Sequence, residues 1–310
     1  MKMDRRFFIG GTLALGAGAC IPPDQSPIGR LAAELRIIEA AGNGTLGVEL
    51  YNTVTGLSVG INRSMRFGHA SSFKFSLAAL LLARDAAGTI DADKRVTWTE
   101  AEMLEYAPFT RERIATGATL RELAEATQTT SDNPAANILL RELGGPAALT
   151  AFWRSIGDDV SRIDRYEPEM NIVPPAEFRD TTTPAAMART VAAIIYGNVL
   201  PEAERTMLKG WMVATETGLK RVRAGLPEGW VAGDKTGTSG LIGTEGNYID
   251  IGFAEGPKGE PPITFACYFR ARQAGDDMQA RAQLTLSRVG RVIREFAEPE
   301  RGLPLVGKLY

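Results

Sequence analysis

Cysteine and histidine are almost missing from this chain: two of the first, Cys20 and Cys267, and one of the second, His69, among 310 residues. A lone histidine excludes a multi-histidine zinc site. The two cysteines offer no structural disulfide, because Cys20 falls in a segment that reads as removable and Cys267 sits in ITFACYF, an apolar strand-like run where a free cysteine packs as a small hydrophobe. Excess positive charge is missing too. Thirty-five Lys and Arg stand against 37 Asp and Glu, a net charge of −2 with no basic patch for nucleic acid. No apolar run reaches the ~20 residues that a membrane-spanning helix needs, and no repeat or low-complexity segment appears. What remains is ordinary globular composition, 44% hydrophobic and 23% charged, with material for a large core in one or two domains.

The first twenty residues, MKMDRRFFIGGTLALGAGAC, run from a positive end with paired arginines through a short, glycine-interrupted apolar stretch to Ala17, Gly18 and Ala19. This order resembles a twin-arginine export signal, so residues 1–20 are expected to be removed and the mature protein to be periplasmic or secreted. Cys20 directly after AGA also raises lipid anchoring. Ala17 stands where lipoprotein signals carry a larger aliphatic residue, so export without an anchor is the preferred reading.

After a helix-like stretch at LAAELRIIEAAG come two strand-like runs, TLGVELYN and LSVGINR, separated by a turn at Gly56. Near the other end WVAGDKTG, NYIDIGFAE and ITFACYFRA read as three more strands, followed by a helix through RAQLTLSRVGRVIREF. Short strands at the two chain ends need partners, and one antiparallel sheet built from both ends supplies them. The fold class expected is therefore α+β: a five-stranded antiparallel sheet flanked by helices, formed by residues 28–65 and 215–305, plus an all-helical domain over 66–214.

Three short stretches carry candidate chemistry. In HASSFK, Ser71 and Lys74 are three residues apart on one helix face. A serine hydroxyl becomes a nucleophile when a neighbouring base takes its proton, and a lysine desolvated at the head of an apolar helix has the lowered pKa for that. His69, two residues from Ser71, does not share its face, which removes a Ser-His triad. In TTSDNPAANILLRELGG, Asn133 reads as a helix N-cap with Pro134 at the first helical position and Gly144–Gly145 at the end, but that reading is indifferent to Ser131. In AGDKTGTSG a strand presents Lys235, and Gly237 lets a ligand approach the backbone with the Thr238 N–H free to meet it. Each stretch alone fits a turn, a cap or a charged edge strand equally well.

Together, Ser71-x-x-Lys74, Ser131-Asp132-Asn133 and Lys235-Thr236-Gly237, in that order, resemble the motif set of class A β-lactamases and penicillin-binding proteins. A fourth stretch, RYEPEMNIVPPAEFRDTTTP, resembles the loop that carries the deacylating glutamate in class A serine β-lactamases; on its own it also reads as a solvated proline-rich surface loop, but a loop of that length in a compact domain is usually functional or disordered. FGHASSFK, YAPFT, SDNPAAN, EPEMN, RDTTTP and GDKTGTSG all fall in family order, so the resemblance spans nearly the whole mature chain. It implies a two-domain fold that agrees with the one above, and a β-lactam hydrolase needing no metal or organic cofactor and working as a monomer. It further implies Ser71 as nucleophile, Lys74, Ser131, Glu167 and Lys235 as catalytic partners, and the backbone N–H groups of Ser71 and Thr238 as the oxyanion hole. Asn133 would bind the substrate's acylamide, Asn171 the hydrolytic water, and Thr236, Thr238 and Arg221 the substrate carboxylate. Tyr106 would flank the cleft mouth, and Arg165 with Asp180 would close the neck of the glutamate loop. The chain departs from parts of the family: Ala70 and Ser239 leave no disulfide of the kind some carbapenem-hydrolysing relatives have there, and NYIDIGF lacks an arginine that many relatives carry, a place that Arg221 fills in a second group. The competing readings are a cell-wall D,D-peptidase and a penicillin sensor that is acylated once. The peptidase shares the three short motifs but lacks the glutamate loop; Glu167 counts against both, and a sensor would normally need a membrane-spanning tether as well.

Overall fold

Alternation of apolar residues in the five strand-like runs produces one antiparallel sheet from β1 (Gly44–Asn52), β2 (Ser58–Ile61), β3 (Val231–Thr238), β4 (Glu245–Glu255) and β5 (Ile263–Arg272). Its order is β2-β1-β5-β4-β3, so the last strand of the chain pairs with the first and the sheet is indeed built from both ends. The computed structural model describes residues 26–242, 245–272 and 277–297, and the expected export signal with Arg5, Arg6 and Cys20 lies outside the described residues. Among those described, no helix is long and apolar enough to cross a membrane.

Eight α-helices surround the sheet in this part of the chain. Because side chains alternate across a strand, β4 sends Ile249, Ile251 and Phe253 to one face and Tyr248 and Ala254 to the other. The second face is covered by α1 (Pro27–Gly42) and α8 (Met278–Ala297), whose Leu31, Leu35, Leu286, Val289 and Ile293 meet Phe265, Cys267 and Phe269. The first face is covered by α6 (Pro184–Ile195), through Met187, Ala188 and Val191 against Ala266 and Tyr268, with Thr264 Oγ1 donating to Ala188 O at 2.9 Å. Thus α6, although inside the helical middle of the sequence, lies on the sheet, because its apolar stripe has the strand faces of β1 and β5 to cover. Beyond it stand α2 (Phe73–Ala86), α3 (Leu120–Thr129), α4 (Asn133–Glu142), α5 (Pro146–Ser155) and α7 (Glu202–Ala214). Helix α2 is central to this layer: every residue from Phe73 to Leu82 is buried. A helix apolar on all sides is one that others surround.

Asn133 is not the cap of α4, as expected, but its first residue. Asp132 takes the cap, its Oδ1 accepting from the Ala135 N–H at 2.8 Å. A carboxylate one residue earlier reaches the N3 amide, which places Pro134 at the second helical position and releases the Asn133 amide to point elsewhere.

His69 is fully buried where the two layers meet. Its ring stacks on Trp153 with centroids 5.0 Å apart, its backbone N–H donates to Asp180 O, and its carbonyl accepts from both the N–H and the hydroxyl of Ser72. Burial pushes the ring down to about 4, against the opposing pull of Asp158. The unfolded chain takes a proton on His69 near its ordinary value of about 6.5, so stability held above that pH is lost as pH falls toward the folded value. Between about pH 7 and pH 4.5 His69 should therefore cost about 2–3 kcal/mol of stability. Replacing His69 with Met should remove that share, narrowing the pH dependence of urea midpoints relative to the unaltered protein. Parallel profiles would show that the ring does not titrate on unfolding.

Candidate active site

The nucleophile candidate Ser71 lies on a 3₁₀ turn, Ala70–Ser72, that leads directly into α2. Ala70 has φ 39°, in the left-handed region that a Cβ disfavours, and this kink leaves Ser71 half-exposed while Ser72 and Lys74 are buried. Lys74, in the first turn of α2, has no exposed surface. Its Nζ donates to Ser131 O at 2.9 Å, to Asn133 Oδ1 and, at 3.5 Å, to Ser131 Oγ, and it faces Glu167 Oε1 at 3.3 Å. Burial lowers the Lys74 pKa, with Glu167 and then Asp132 acting to raise it. The hydrogen bonds of this ammonium thus run to Ser131 and Asn133 and its ion pair to Glu167; among the described residues no hydrogen bond joins it to the Ser71 hydroxyl.

Ser131 also has a left-handed backbone, φ 65°, one residue ahead of the Asp132 cap. The Asp132 carboxylate accepts from the N–H groups of Phe109 and Thr110 as well, and from the Thr110 hydroxyl, so it ties the start of α4 to the stretch that follows Tyr106. Tyr106 itself is half-exposed, and its carbonyl accepts from the Asn133 N–H at 3.1 Å. From the opposite side Lys235 Nζ donates to Ser131 Oγ at 3.0 Å. Burial, and after it the charge of Lys74, holds the Lys235 pKa well below its ordinary value, with Asp234 opposing. With two ammonium groups directed at its oxygen, Ser131 has its own proton left to give to a substrate atom.

Glu167 comes from the long loop between α5 and α6 and is 3% exposed. Its Oε2 accepts from Asn171 Nδ2 at 2.5 Å, and its Oε1, itself buried, pairs with Lys74 Nζ at 3.3 Å. Asn137 brackets its backbone: Glu167 N donates to Asn137 Oδ1 at 2.9 Å and Asn137 Nδ2 donates to Glu167 O at 2.8 Å. At the neck of the loop Arg165 Nε pairs with Asp180 Oδ2 at 2.5 Å, and Asp180 Oδ1 accepts from the backbone of Asp164 and Arg165. Asn137 escaped the sequence reading. Its position four residues after Asn133, on the same face of α4, was the available signal.

The third wall is β3, the free edge of the sheet. Ser239 N donates to Asn247 O across the ladder, whereas the Asp234 carbonyl turns outward to accept from Gln128 Nε2 at 2.8 Å. By the alternation of an antiparallel ladder, the Thr238 N–H shares the outward side with Asp234. Gly237 lies so close to the nucleophile turn that a Cβ there would fall 3.0 Å from His69 O and 3.1 Å from the Ser71 nitrogen. A side chain would wedge the strand away from Ser71, and glycine allows the Ser71 and Thr238 amides to share one pocket.

Arg221 lies mostly buried beside this strand. Its Nη1 donates to Gly237 O at 2.8 Å and to Ile249 O, and its Nη2 donates to Thr238 Oγ1 at 2.6 Å. Burial lowers its pKa, while Asp250 and then Asp234 support the charge. Asp250 accepts from the Val222 N–H at 2.9 Å, and Asp234 pairs with Arg223 Nε at 2.5 Å, so two acids of the sheet fix the two residues that follow Arg221. Thr236 is buried, its hydroxyl 2.6 Å from that of Thr217.

A family model described as "Beta-lactamase enzyme family" matches residues 30–297. The chain is 45% identical over 231 residues to Beta-lactamase FAR-1 of Nocardia farcinica, an alignment covering 74% of this chain and 72% of that one. It is 40% identical to Beta-lactamase AST-1 of Nocardia asteroides, covering 86% and 88%. Among solved structures, an ancestral class A β-lactamase superposes with a TM-score of 0.81 at 44% identity, covering 86% of this chain and 99% of that one.

Asp132 holds the Ser131 turn, the α4 cap and the 109–110 turn at once. Its replacement by Ala, which leaves those donors unpaired, should lower stability by about 2–4 kcal/mol in urea unfolding. Asp132→Asn, which keeps a capping oxygen, should lose less; equal losses would show that the cap is not the cause.

Proposed function

The chain belongs to the class A β-lactamases, hydrolases whose activity removes β-lactam antibiotics and so confers resistance to them, and from that premise we propose how its own residues open the ring. Ser71 attacks the lactam carbonyl of a penicillin or cephalosporin, its proton passing to the Lys74–Glu167 pair, either directly to the amine or through a water to the carboxylate. The Ser71 and Thr238 amides receive the developing oxyanion; losing one donor from such a hole costs roughly 3 kcal/mol. Ser131 gives its proton to the leaving nitrogen, and Lys235 keeps the potential around it positive. Asn133 holds the acylamide, Tyr106 flanks the cleft mouth, and Thr236, Thr238 and Arg221 bind the carboxylate. Arg221 contributes through Thr238: a guanidinium only donates, so its bond to Thr238 Oγ1 leaves the threonine proton for the substrate. All of these residues come from one chain, and the working unit proposed is a monomer.

Hydrolysis of the acyl-enzyme separates this reading from a D,D-peptidase or a once-acylated sensor. The observation that carries it is the buried Glu167 carboxylate, held through Asn171 at one oxygen and paired with Lys74 at the other. An ester in a closed site needs one positioned water and a base to take its proton, and Glu167 with Asn171 supplies both. Upstream, Arg5 and Arg6 ahead of a short apolar stretch support export of the folded enzyme to the periplasm or the medium.

Glu167→Ala should acylate with benzylpenicillin, release one burst and stall with a mass adduct on Ser71, while Ser71→Ala forms no adduct. Turnover by Glu167→Ala at the unaltered rate would refute the assignment and favour the peptidase reading. For export, replacing both Arg5 and Arg6 with Lys should confine nitrocefin hydrolysis to the cytoplasm. Unchanged activity outside would discard the twin-arginine route.

A further inference from the structure

Thr217 belongs to no role assigned so far, yet its hydroxyl lies 2.6 Å from that of Thr236. Between two hydroxyls at that separation one proton sits on the line joining the oxygens and the other is left over. At the neighbouring hydroxyl the choice is forced: Arg221 Nη2 donates to Thr238 Oγ1, and the Thr238 proton must go outward. At Thr236 the choice belongs to whatever stands in front of it. A carboxylate accepts only, so once one is bound Thr236 donates to it and Thr217 becomes the donor to Thr236.

The backbone around Thr217 is held for this task. Thr215 is buried, its hydroxyl accepting from Gln128 Nε2 at 3.0 Å and its carbonyl from Arg223 Nη2. Gly218 packs on the Asp234 carboxylate so tightly that a Cβ would fall 1.9 Å from Oδ2, and its carbonyl accepts from the Arg221 N–H at 2.9 Å. Thr215, two residues before Thr217, and Gly218, the one after it, are thus fixed to α3 and to the sheet, while Thr217 itself is half-buried, between the loop and the edge strand.

We propose that Thr217 is a positioning residue of the substrate-carboxylate subsite, donating its hydroxyl proton to Thr236 so that the Thr236 proton is presented to the carboxylate as Arg221 presents that of Thr238. The inference rests on the reading of Thr236 and Thr238 as that subsite. It predicts a defect in binding rather than in chemistry, because the reacting carbonyl is served by other groups.

The test compares the full-length enzyme with Thr217→Val and Thr217→Ser on benzylpenicillin and on its methyl ester, which lacks the anionic acceptor. Thr217→Val should raise KM for the acid about fivefold, the loss of one hydrogen bond, with kcat within about twofold and kcat/KM for the ester unchanged. Thr217→Ser, which restores the hydroxyl, should return KM to the unaltered value. A Thr217→Val enzyme that loses acid and ester equally, or keeps the unaltered KM, overturns the inference, as does failure of Ser to rescue. If the unaltered enzyme fails to prefer the acid over the ester, the carboxylate reading itself falls and takes this inference with it. If that preference is present and Thr217→Val preserves its size, only the role of Thr217 falls.

Discussion

A buried ammonium is the constraint around which this cleft is organised. Lys74 has no exposed surface, and a lysine in that position is tolerated only where acceptors surround it or where it loses its proton. The acceptors come from two segments distant in sequence: Ser131 and Asn133 at the start of α4, and Glu167 from the long loop. Each segment is in turn held by a further anchor: Asp132 for the first, Asn137 and the Arg165–Asp180 pair for the second. Removing the lysine would leave a buried carboxylate and a buried carbonyl facing each other, so the cluster is stable only as a set. Beside the Ser71 turn, the same set supplies an amine with lowered pKa and a buried carboxylate, the groups that acyl transfer to water requires around a nucleophilic hydroxyl.

The sheet contributes through its parity. Along β3 successive residues serve different tasks because they face different ways. Lys235 points into the helical layer and reaches Ser131, whereas Thr236 meets Thr217 and Thr238 meets Arg221. A slip of one residue in the pairing with β4 would exchange these faces and put the lysine where the hydroxyls now stand. The register is secured by the buried alternation of β4, with Ile249, Ile251 and Phe253 on one side and Tyr248, Asp250 and Ala254 on the other. Core packing in the sheet thereby decides which groups face the substrate.

Three non-glycine residues with left-handed backbone lie at the junctions of the site: Ala70 before the nucleophile, Ser131 before the α4 cap, and Asp180 at the loop neck. Such conformations cost on the order of 1–3 kcal/mol each and persist where surrounding structure fixes them. Here the surroundings are apparent. His69 O binds Ser72 twice, Asp132 binds four donors, and Asp180 binds two amides and a guanidinium. The large cores on both faces of the sheet supply the stability that offsets these local costs.

The sequence by itself determined the elements and the identity of the chemistry. Alternation in TLGVELYN and ITFACYF and the buried run after Lys74 depend only on local periodicity, and a serine, a lysine, a glutamate and a second lysine in family order named the groups to be brought together. What the sequence could not give is the direction of individual bonds. The cap of α4 moved from Asn133 to Asp132 because both residue types cap well, and the choice was made by the 109–110 turn, which needed a carboxylate, and by Lys74, which took the amide. Asp250 and Thr217 carry no local signature, since their partners are 28 and 19 residues away along the chain, and the helical spacing that marks Asn137 does not name its partner 30 residues on. Those contacts exist only after the sheet closes from both chain ends and the helical layer docks on it. Tertiary structure alone therefore decided that Arg221 donates to Thr238, because whether a guanidinium faces solvent or threads between two strands depends on burial, which residue order does not encode.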